Sequence, residues 1–188
     1  MSREREEAVA VIRLISNGSD EKIDRRAVEA WMSSSDIQAL GAVYYMLFDG
    51  RFHPRIEPPF TLDDYLDFTL PYYERCFREN PDTDWASTRY TAGWDLAGWF
   101  VKMWRDPSVP RSVFKRIKAW LETLYRTSND EVRNALVTAT LEHIFEDKRI
   151  ATFFADWQDD PLLAKAWTDA ASWSAAGGKS PLGRTKRD

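Results

Sequence analysis

Acidic side chains recur along residues 57–84 at a spacing that could support chemistry. Asp63, Asp67 and Glu74 stand four and seven positions apart, so a helix through them places all three on one side. Two neighbouring carboxylates can share the work of a general acid and a general base. Helical carboxylates at this spacing are far more often a solvated acidic face than a catalytic pair. A third interpretation, which the predicted binding surface uses, is a face that binds a partner.

Two histidines complete the set of residues that could act as bases. His53 lies in a proline-rich segment, residues 51–60, and its simplest role is structural hydrogen bonding. His143 falls at the edge of an apolar helical face and is interpreted as a hydrogen-bonded core histidine. No cysteine lies near either residue, so the sequence predicts no zinc site.

The only cysteine, Cys76, has tyrosine and phenylalanine neighbours, which predict a buried and unreactive thiol. A single cysteine excludes an intramolecular disulfide and suits a reducing cytoplasm. The sequence lacks a glycine-rich phosphate loop, a Gly-x-Ser-x-Gly elbow, a Cys-x-x-Cys pair and a His-Glu-x-x-His pair. These features favour a binding module over an enzyme, with no metal and no cofactor.

Charge indicates the kind of partner. The chain carries a net charge of −4, and residues 177–188 contribute +3, which leaves −7 for the rest. Such a surface disfavours nucleic acid, which needs Lys and Arg, and favours a basic protein, although mild acidity also aids solubility. No apolar run is long enough for a bilayer span, and the first residues lack the apolar core of a signal peptide. We expect a cytoplasmic protein without a membrane partner.

The predicted binding surface centres on residues 57–84, where eight acidic residues stand against two arginines. Aromatic side chains are interleaved with the carboxylates, and exposed aromatics supply affinity at interfaces. The neighbouring loop, residues 51–60, is the longest irregular segment that the sequence predicts, because it contains three prolines. The predicted partner-binding residues are Arg51, His53, Asp63, Asp64, Tyr65, Asp67, Tyr72 and Glu74.

Residues 87–105 are apolar on nearly all sides when placed on a helix, which is typical of a buried helix. Gly93 and Gly98 would weaken an isolated helix, so we expect them to admit a close neighbouring backbone. We predict that this central helix lies between two layers of other helices. The side chains expected to be almost wholly buried are Trp94, Phe100, Val101 and Trp104.

Helix start signals divide the rest of the chain. Asp24 is a predicted N-cap, and capping boxes are predicted for Ser35 with Gln38 and for Ser128 with Glu131. Within the helix that follows residue 61, a proline at position 71 predicts a kink or a restart. The sequence thus predicts an all-α fold, a helical bundle or short irregular superhelix around one buried central helix. We expect a single domain over residues 1–176 and a disordered basic tail at 177–188.

The run from Asn129 to Leu136, Asn-Asp-Glu-Val-Arg-Asn-Ala-Leu, resembles the opening of a HEAT-type repeat helix. The resemblance implies that Asp130 caps the helix and that Arg133 packs inward against an acidic group of a neighbouring repeat. No second copy with a fixed period is visible. The regularity of a repeat array is therefore not expected.

The C-terminal half also resembles small helical bacterial proteins, some of which are encoded beside secreted polymorphic toxins and act as their immunity proteins. This resemblance implies a protein that neutralises a cognate basic toxin, such as a nuclease, through an acidic and aromatic surface. Two alternatives stay open. One is a HEAT-like DNA-repair glycosylase, which would need a basic cleft, and the other is a helical scaffold or ligand-binding domain.

Overall fold

The computed structural model describes residues 1–176, and over this range the chain is all-α apart from one pair of very short strands. The predicted fold class is confirmed. Contacts cluster into two compact units, one formed by Met1–Thr88 and the other by the chain from Arg89 onward. The single domain over 1–176 stays a prediction, and the predicted tail at 177–188 lies outside the described residues.

The first unit builds its core between helices that are apolar on one face. α1 packs on α2 and α3, and α3 packs on α4. Ile23 and Ile56 lie opposite each other where two short strands pair in parallel. The elements are α1 (Arg3–Ser16), β1 (Ile23–Asp24), α2 (Arg25–Met32), α3 (Ile37–Phe48), a 3₁₀ turn at His53–Arg55, β2 (Ile56–Glu57) and α4 (Leu62–Glu79).

The predicted irregular loop, residues 51–60, is therefore partly regular. Its 3₁₀ turn includes Pro54, β2 follows directly, and the other two prolines come after β2. Strand pairing here depends on β1, which lies more than thirty residues earlier in the chain. The prediction that residues 51–60 are wholly irregular was wrong because a local pattern cannot reveal such a distant partner strand.

α4 continues through Pro71 as one helix from Leu62 to Glu79. Pro71 has no amide hydrogen for the carbonyl of Asp67, but it lies on the exposed side of the helix, where water can reach that carbonyl. The predicted restart does not occur. The whole helix therefore presents one uninterrupted face.

Of two predicted helix caps in the first unit, one is confirmed and the other is wrong. Asp24 accepts a hydrogen bond from the Arg26 amide and caps α2, as predicted. The N-cap of α3 is Asp36, not Ser35, because the Asp36 carboxylate accepts from the Gln38 amide.

The second unit contains α5 (Arg89–Arg105), α6 (Arg111–Thr127), α7 (Asp130–Ala135), a π-helical segment at Leu136–Leu141, α8 (Glu142–Ile144), α9 (Lys148–Phe153), a 3₁₀ turn at Ala155–Asp159 and α10 (Pro161–Ala175). α5 packs closely on the π-helical segment. A Cβ placed on Gly93 would approach the Cβ of Ala139 to 2.6 Å, and the Thr140 hydroxyl donates to the Gly93 carbonyl at 3.2 Å. The predicted close approach at Gly93 is confirmed.

α5 buries one face rather than its whole circumference. Phe100 is only 1% exposed, as predicted, but Trp94 is 40% exposed and Val101 and Trp104 are half-buried. The buried face is rotated from the predicted arc toward small residues and Met103. Its members are Ala92, Gly93, Leu96, Ala97, Phe100 and Met103. The contact of Gly93 with Ala139 leaves no room for a side chain at that point, and the adjacent ring of Trp94 is partly turned to solvent.

The second predicted capping box is also absent. Asn129 caps α7 by accepting from the Val132 amide at 3.0 Å. Glu131 instead forms an ion pair with Arg89 at 3.0 Å. A cap is decided by which residue leaves helical geometry first, and here that residue is one position later than Ser128.

Arg133 does not find the acidic partner from a neighbouring repeat that the HEAT-type resemblance implies. Its Nε donates to the Tyr125 carbonyl at 2.9 Å and its Nη2 to the Arg126 carbonyl at 3.2 Å, at the end of α6. Asp130 lies 3.4 Å away on the same helix and is not the cap. The guanidinium satisfies carbonyls that the end of α6 leaves unpaired.

Candidate functional site

The predicted acidic residues of α4 do share one exposed side of the helix. Asp63 and Asp67 are exposed, and Glu74 is half-buried beside Arg78, whose Nε donates to it at 2.8 Å. Because α4 runs unbroken through Pro71, the three carboxylates follow one stripe about 16 Å long. We call Asp63, Asp67 and Glu74 the acidic stripe.

Asp64 belongs to a different arrangement. Its carboxylate accepts from the amide and hydroxyl of Thr61, both at 2.7 Å, and completes the capping box of α4. Arg25 donates to it from α2 at 2.9 Å. The Thr61 bonds, with Arg25 adding to them, lower the pKa of the Asp64 carboxyl. Asp64 therefore stabilises the fold, and the structure separates it from the acidic stripe.

The acidity of residues 57–84 is offset partly by two arginines within the segment and partly by basic residues from elsewhere in the first unit. The offset depends on tertiary contacts, because two arginines within the segment cannot balance eight carboxylates. The ion pairs are Lys22–Glu57 at 2.7 Å, Arg25–Asp64 at 2.9 Å, Arg5–Asp84 at 2.7 Å, Arg75–Glu79 at 2.6 Å and Arg78–Glu74 at 2.8 Å.

The two tyrosines predicted to be exposed at the interface are not exposed: the prediction was wrong for both. Tyr72 is only 1% exposed, and its ring stacks on Phe68 and on Tyr44 with centroid separations of 5.9 and 5.1 Å. Burial raises the pKa of its phenol. Tyr65 is half-buried and meets Phe48 edge-on at 5.7 Å. Aromatic residues that alternate with carboxylates on α4 thus face the core, because the helix separates the two types onto opposite sides.

Arg51 and His53 lie in different surroundings. His53 is exposed in the 3₁₀ turn. Arg51 donates to both carboxylate oxygens of Asp49, with Nε–Oδ1 at 3.0 Å and Nη2–Oδ2 at 2.8 Å, and it also contacts the hydroxyl of Tyr45. The hydrogen bonds from Arg51 lower the pKa of the Asp49 carboxyl to about 2, so Asp49 is ionised at neutral pH.

Asp49 and Tyr45 lie at the edge of an open groove of about 480 Å³ in the first unit. Aromatic rings make up much of its lining, and none of these rings is fully buried. We call this cavity the aromatic groove. Its lining residues are Gly41, Tyr44, Tyr45, Phe48, Asp49, Asp84, Trp85 and Ser87.

One wall of the aromatic groove is held by a glutamine and a glycine of α3. The Gln38 side chain accepts from the amides of Trp85 and Ala86 at 2.7 and 2.8 Å and donates to the Asp82 carbonyl at 2.8 Å. A Cβ at Gly41 would come within 2.4 Å of the Trp85 backbone, so only glycine admits this contact. Two neighbouring positions of α3 therefore fix the segment that carries Trp85.

Tyrosine hydroxyls hold the groove from below. The Ser87 amide donates to the Tyr72 hydroxyl at 2.9 Å. Tyr44 and Tyr73 share a hydrogen bond between their hydroxyls at 2.8 Å. Tyr72 is therefore a buried residue that supports the groove, and it does not contact a partner.

The other reactive side chains are poorly placed for chemistry. Cys76 is buried as predicted, and burial raises the pKa of its thiol to about 12, so the thiolate is scarce at neutral pH. His143 is buried, but its Nδ1 makes no hydrogen bond to the described residues. It lies 3.5 Å from Glu146, and the ring meets Trp173 edge-on at 5.2 Å. The predicted burial of His143 is confirmed, and ring packing on Trp173 contributes to it.

Among residues 1–176, no three His, Cys, Asp or Glu side chains come together in a way that could hold a metal ion. Over the same residues, no helix combines the length and the apolar character that crossing a membrane requires.

Sequence reasoning missed the aromatic groove, although it left a local trace. Tyr44, Tyr45 and Phe48 occupy adjacent and one-turn positions of α3, and Asp49 follows directly. The helical period predicts that Tyr44 faces inward, and the structure leaves its side chain half-buried. The far wall, with Trp85, comes from a segment almost forty residues later, so only folding brings the two together.

Compared with known proteins, the chain matches no protein-family model, no curated protein and no solved structure.

Proposed function

We propose that this chain is a binding module, not an enzyme, and that it neutralises a basic protein as an immunity protein neutralises its toxin. The observation that carries the proposal is the location of the charge. Residues 1–88 hold seventeen acidic and ten basic residues, a net charge of −7, whereas residues 89–176 hold twelve of each. The acidity is thus concentrated in one compact unit, where it can attract a basic surface.

The acidic stripe supports the same proposal at the level of one helix. Asp63 lies in the first turn of α4, where the helix dipole favours a carboxylate, and Asp67 follows one turn later on the same side, although carboxylates at i, i+4 repel each other by a few tenths of a kcal/mol. Complementary charge speeds the encounter with a basic partner and selects against acidic ones. Asp64 contributes indirectly, since its capping box fixes the start of the helix that carries the stripe.

The aromatic groove favours a second candidate, a helical ligand-binding domain. A cavity of about 480 Å³ lined by rings and a few polar groups is within the usual size range of small-molecule sites. A DNA-repair glycosylase is not proposed, because the unit that holds the groove and the stripe has a net charge of −7 and would repel a phosphate backbone. The proposed partner is a basic protein met in a reducing compartment such as the cytoplasm, without a cofactor.

Charge reversal on the acidic stripe tests the proposal. The partner is identified by affinity purification from the source cells, and its association rate is measured against ionic strength. Asp63→Lys with Asp67→Lys should slow association at low salt at least about tenfold and flatten its salt dependence. Asp64 is left intact, because its loss would damage α4 rather than the interface.

A matched control reverses two other exposed acids of the first unit, Glu21→Lys with Asp82→Lys. These variants carry the same total charge as the stripe variants. Equal slowing in both pairs would show that only net charge matters. Unchanged rates in the stripe pair, with the fold intact by circular dichroism, would contradict the acidic stripe as the interface.

A further inference from the structure

The aromatic groove combines two kinds of groups that together suit a positive charge. Tyr45 and Trp85 meet edge-on with centroids 5.9 Å apart, and Tyr44 and Phe48 lie 4.7 Å apart along the same helix. Aromatic faces attract cations through their negative quadrupole. Two carboxylates, Asp49 and Asp84, line the same cavity.

The carboxylates argue against the other possible occupants. Asp49 accepts hydrogen bonds from Arg51, and Asp84 is 69% exposed and paired with Arg5 at 2.7 Å, so both carboxylates are charged at neutral pH. An apolar ligand that covered these charges would strip their water without replacing it, which is costly. An anionic ligand would meet like charge. A cation instead keeps the carboxylates hydrogen-bonded and adds contact with the rings.

The shape of the site distinguishes between cations. A guanidinium is planar, so it can stack on an aromatic face while its edge donates to a carboxylate. The chain already shows this combination at the rim, where Arg51 bonds Asp49 and its guanidinium carbon lies 5.1 Å from the centre of the Phe52 ring. An ammonium group offers no flat face for the rings.

The site is held in place before any ligand arrives. Gln38 and Gly41 fix the segment that carries Trp85, and Tyr65 and Tyr72 pack behind Phe48 and Tyr44. A ligand therefore does not have to order the groove on binding, which removes a cost that usually weakens small contacts.

We infer that the aromatic groove receives an arginine side chain of the basic protein partner, stacked on its rings and hydrogen-bonded to Asp84. This inference rests on the proposed function, to which it adds the chemistry of one contact. It also goes beyond the acidic stripe, because it assigns binding to residues that do not lie on α4.

The direct test uses the blocked peptide acetyl-Gly-Arg-Gly-amide as a probe. Binding is followed by the NMR signal of the Trp85 indole, which is assigned with Trp85→Phe. The arginine peptide should shift this signal in a saturable way. A peptide with citrulline, the neutral analogue of arginine, should bind at least about tenfold more weakly if the positive charge matters. Equal binding of the two peptides, or no shift at Trp85, would overturn the inference.

Paired variants in one segment separate the groove from general electrostatics. Asp84→Asn removes a carboxylate that lines the groove, and Asp82→Asn removes one that does not. We expect the first to weaken the arginine peptide about fivefold and the second to change its affinity less than about twofold. Equal losses would show attraction by net charge alone and would contradict a specific site.

The same variants distinguish this inference from the proposed function. If the stripe variants slow association with the partner while Asp84→Asn and Trp85→Ala leave the complex unchanged, the groove inference fails and the proposed function stands. If the arginine peptide binds in the groove but no basic protein associates with the chain, the proposed function fails and the site is a ligand pocket.

Discussion

Single residues in this protein take their roles from partners that lie outside their own segment. Asp64 and Asp67 are three positions apart on α4, yet Asp64 completes a capping box and bonds Arg25, whereas Asp67 is exposed on the acidic stripe. Arg51 and Asp49 form a close pair that lowers the pKa of the Asp49 carboxyl at the groove. Residue type alone does not separate these roles.

Asp49→Asn should lower stability in a pH-dependent way. The folded pKa of Asp49, about 2, lies below the ordinary unfolded value near 4, so its contribution is complete above pH ~4 and is lost as the pH falls toward 2. At pH 7 we expect a loss of about 1–2 kcal/mol, reduced from the full linkage value because Arg51 is largely exposed. Urea unfolding between pH 7 and pH 3 measures it.

Asp82→Asn is the control for this change, since Asp82 has an exposed side chain in the same unit. It should alter the free energy of unfolding by less than about 0.5 kcal/mol. A difference between wild type and Asp49→Asn that stays constant from pH 7 to pH 3 would show that the pair with Arg51 is not the cause.

Within each unit, one glycine allows two segments of the chain to come into close contact. Gly93 brings α5 against the π-helical segment, and Gly41 brings α3 against the segment that carries Trp85. A large ring near each contact is partly exposed: Trp94 follows Gly93 in the chain, and the backbone of Trp85 contacts Gly41. Trp85 also lines the groove.

Two of the aromatic residues of α5, Phe100 and Trp94, should differ sharply in their effect on stability. Phe100 is buried and contacts Phe114 and Phe154, so Phe100→Ala should cost about 3–5 kcal/mol. Trp94→Ala should cost only about 1–2 kcal/mol, because much of the ring already contacts water. Chemical denaturation of both variants gives the comparison. Similar losses would mean that the tertiary placement of α5 differs from the one described.

At the scale of the whole molecule, charge is distributed unevenly along the chain. The first unit carries the entire net acidity of residues 1–176, and residues 177–188 add +3. Net charge affects encounter rates and solubility rather than the fold itself. This distribution is why the proposed function assigns recognition to the first unit.

Removal of the C-terminal residues tests whether they matter for the fold. Their lack of apolar periodicity predicts that deletion of residues 179–188 changes the melting temperature by no more than ~1–2 °C. Differential scanning calorimetry of the full and shortened chains measures this. A clearly larger drop would indicate that the basic residues dock on the protein, and lowering of the effect by salt would identify the contact as electrostatic.

The sequence by itself determined the all-α class, the cap at Asp24, the burial of Cys76 and Phe100, and the common face of Asp63, Asp67 and Glu74. Each of these follows from the helical period or from chemistry within one turn, which acts wherever the helix packs. It also located the close approach at Gly93, because a glycine in a helix has few other uses.

Only the tertiary structure decided which side of α5 is buried, that Tyr72 supports the groove from below, and that Asp64 is paired with Arg25. It also created the aromatic groove, whose walls are α3 and a segment almost forty residues away. These features depend on contacts between residues distant in the chain, and many partners of similar chemistry compete for each contact. Close packing selects one of them by shape, and shape is a property that no local pattern in a single sequence contains.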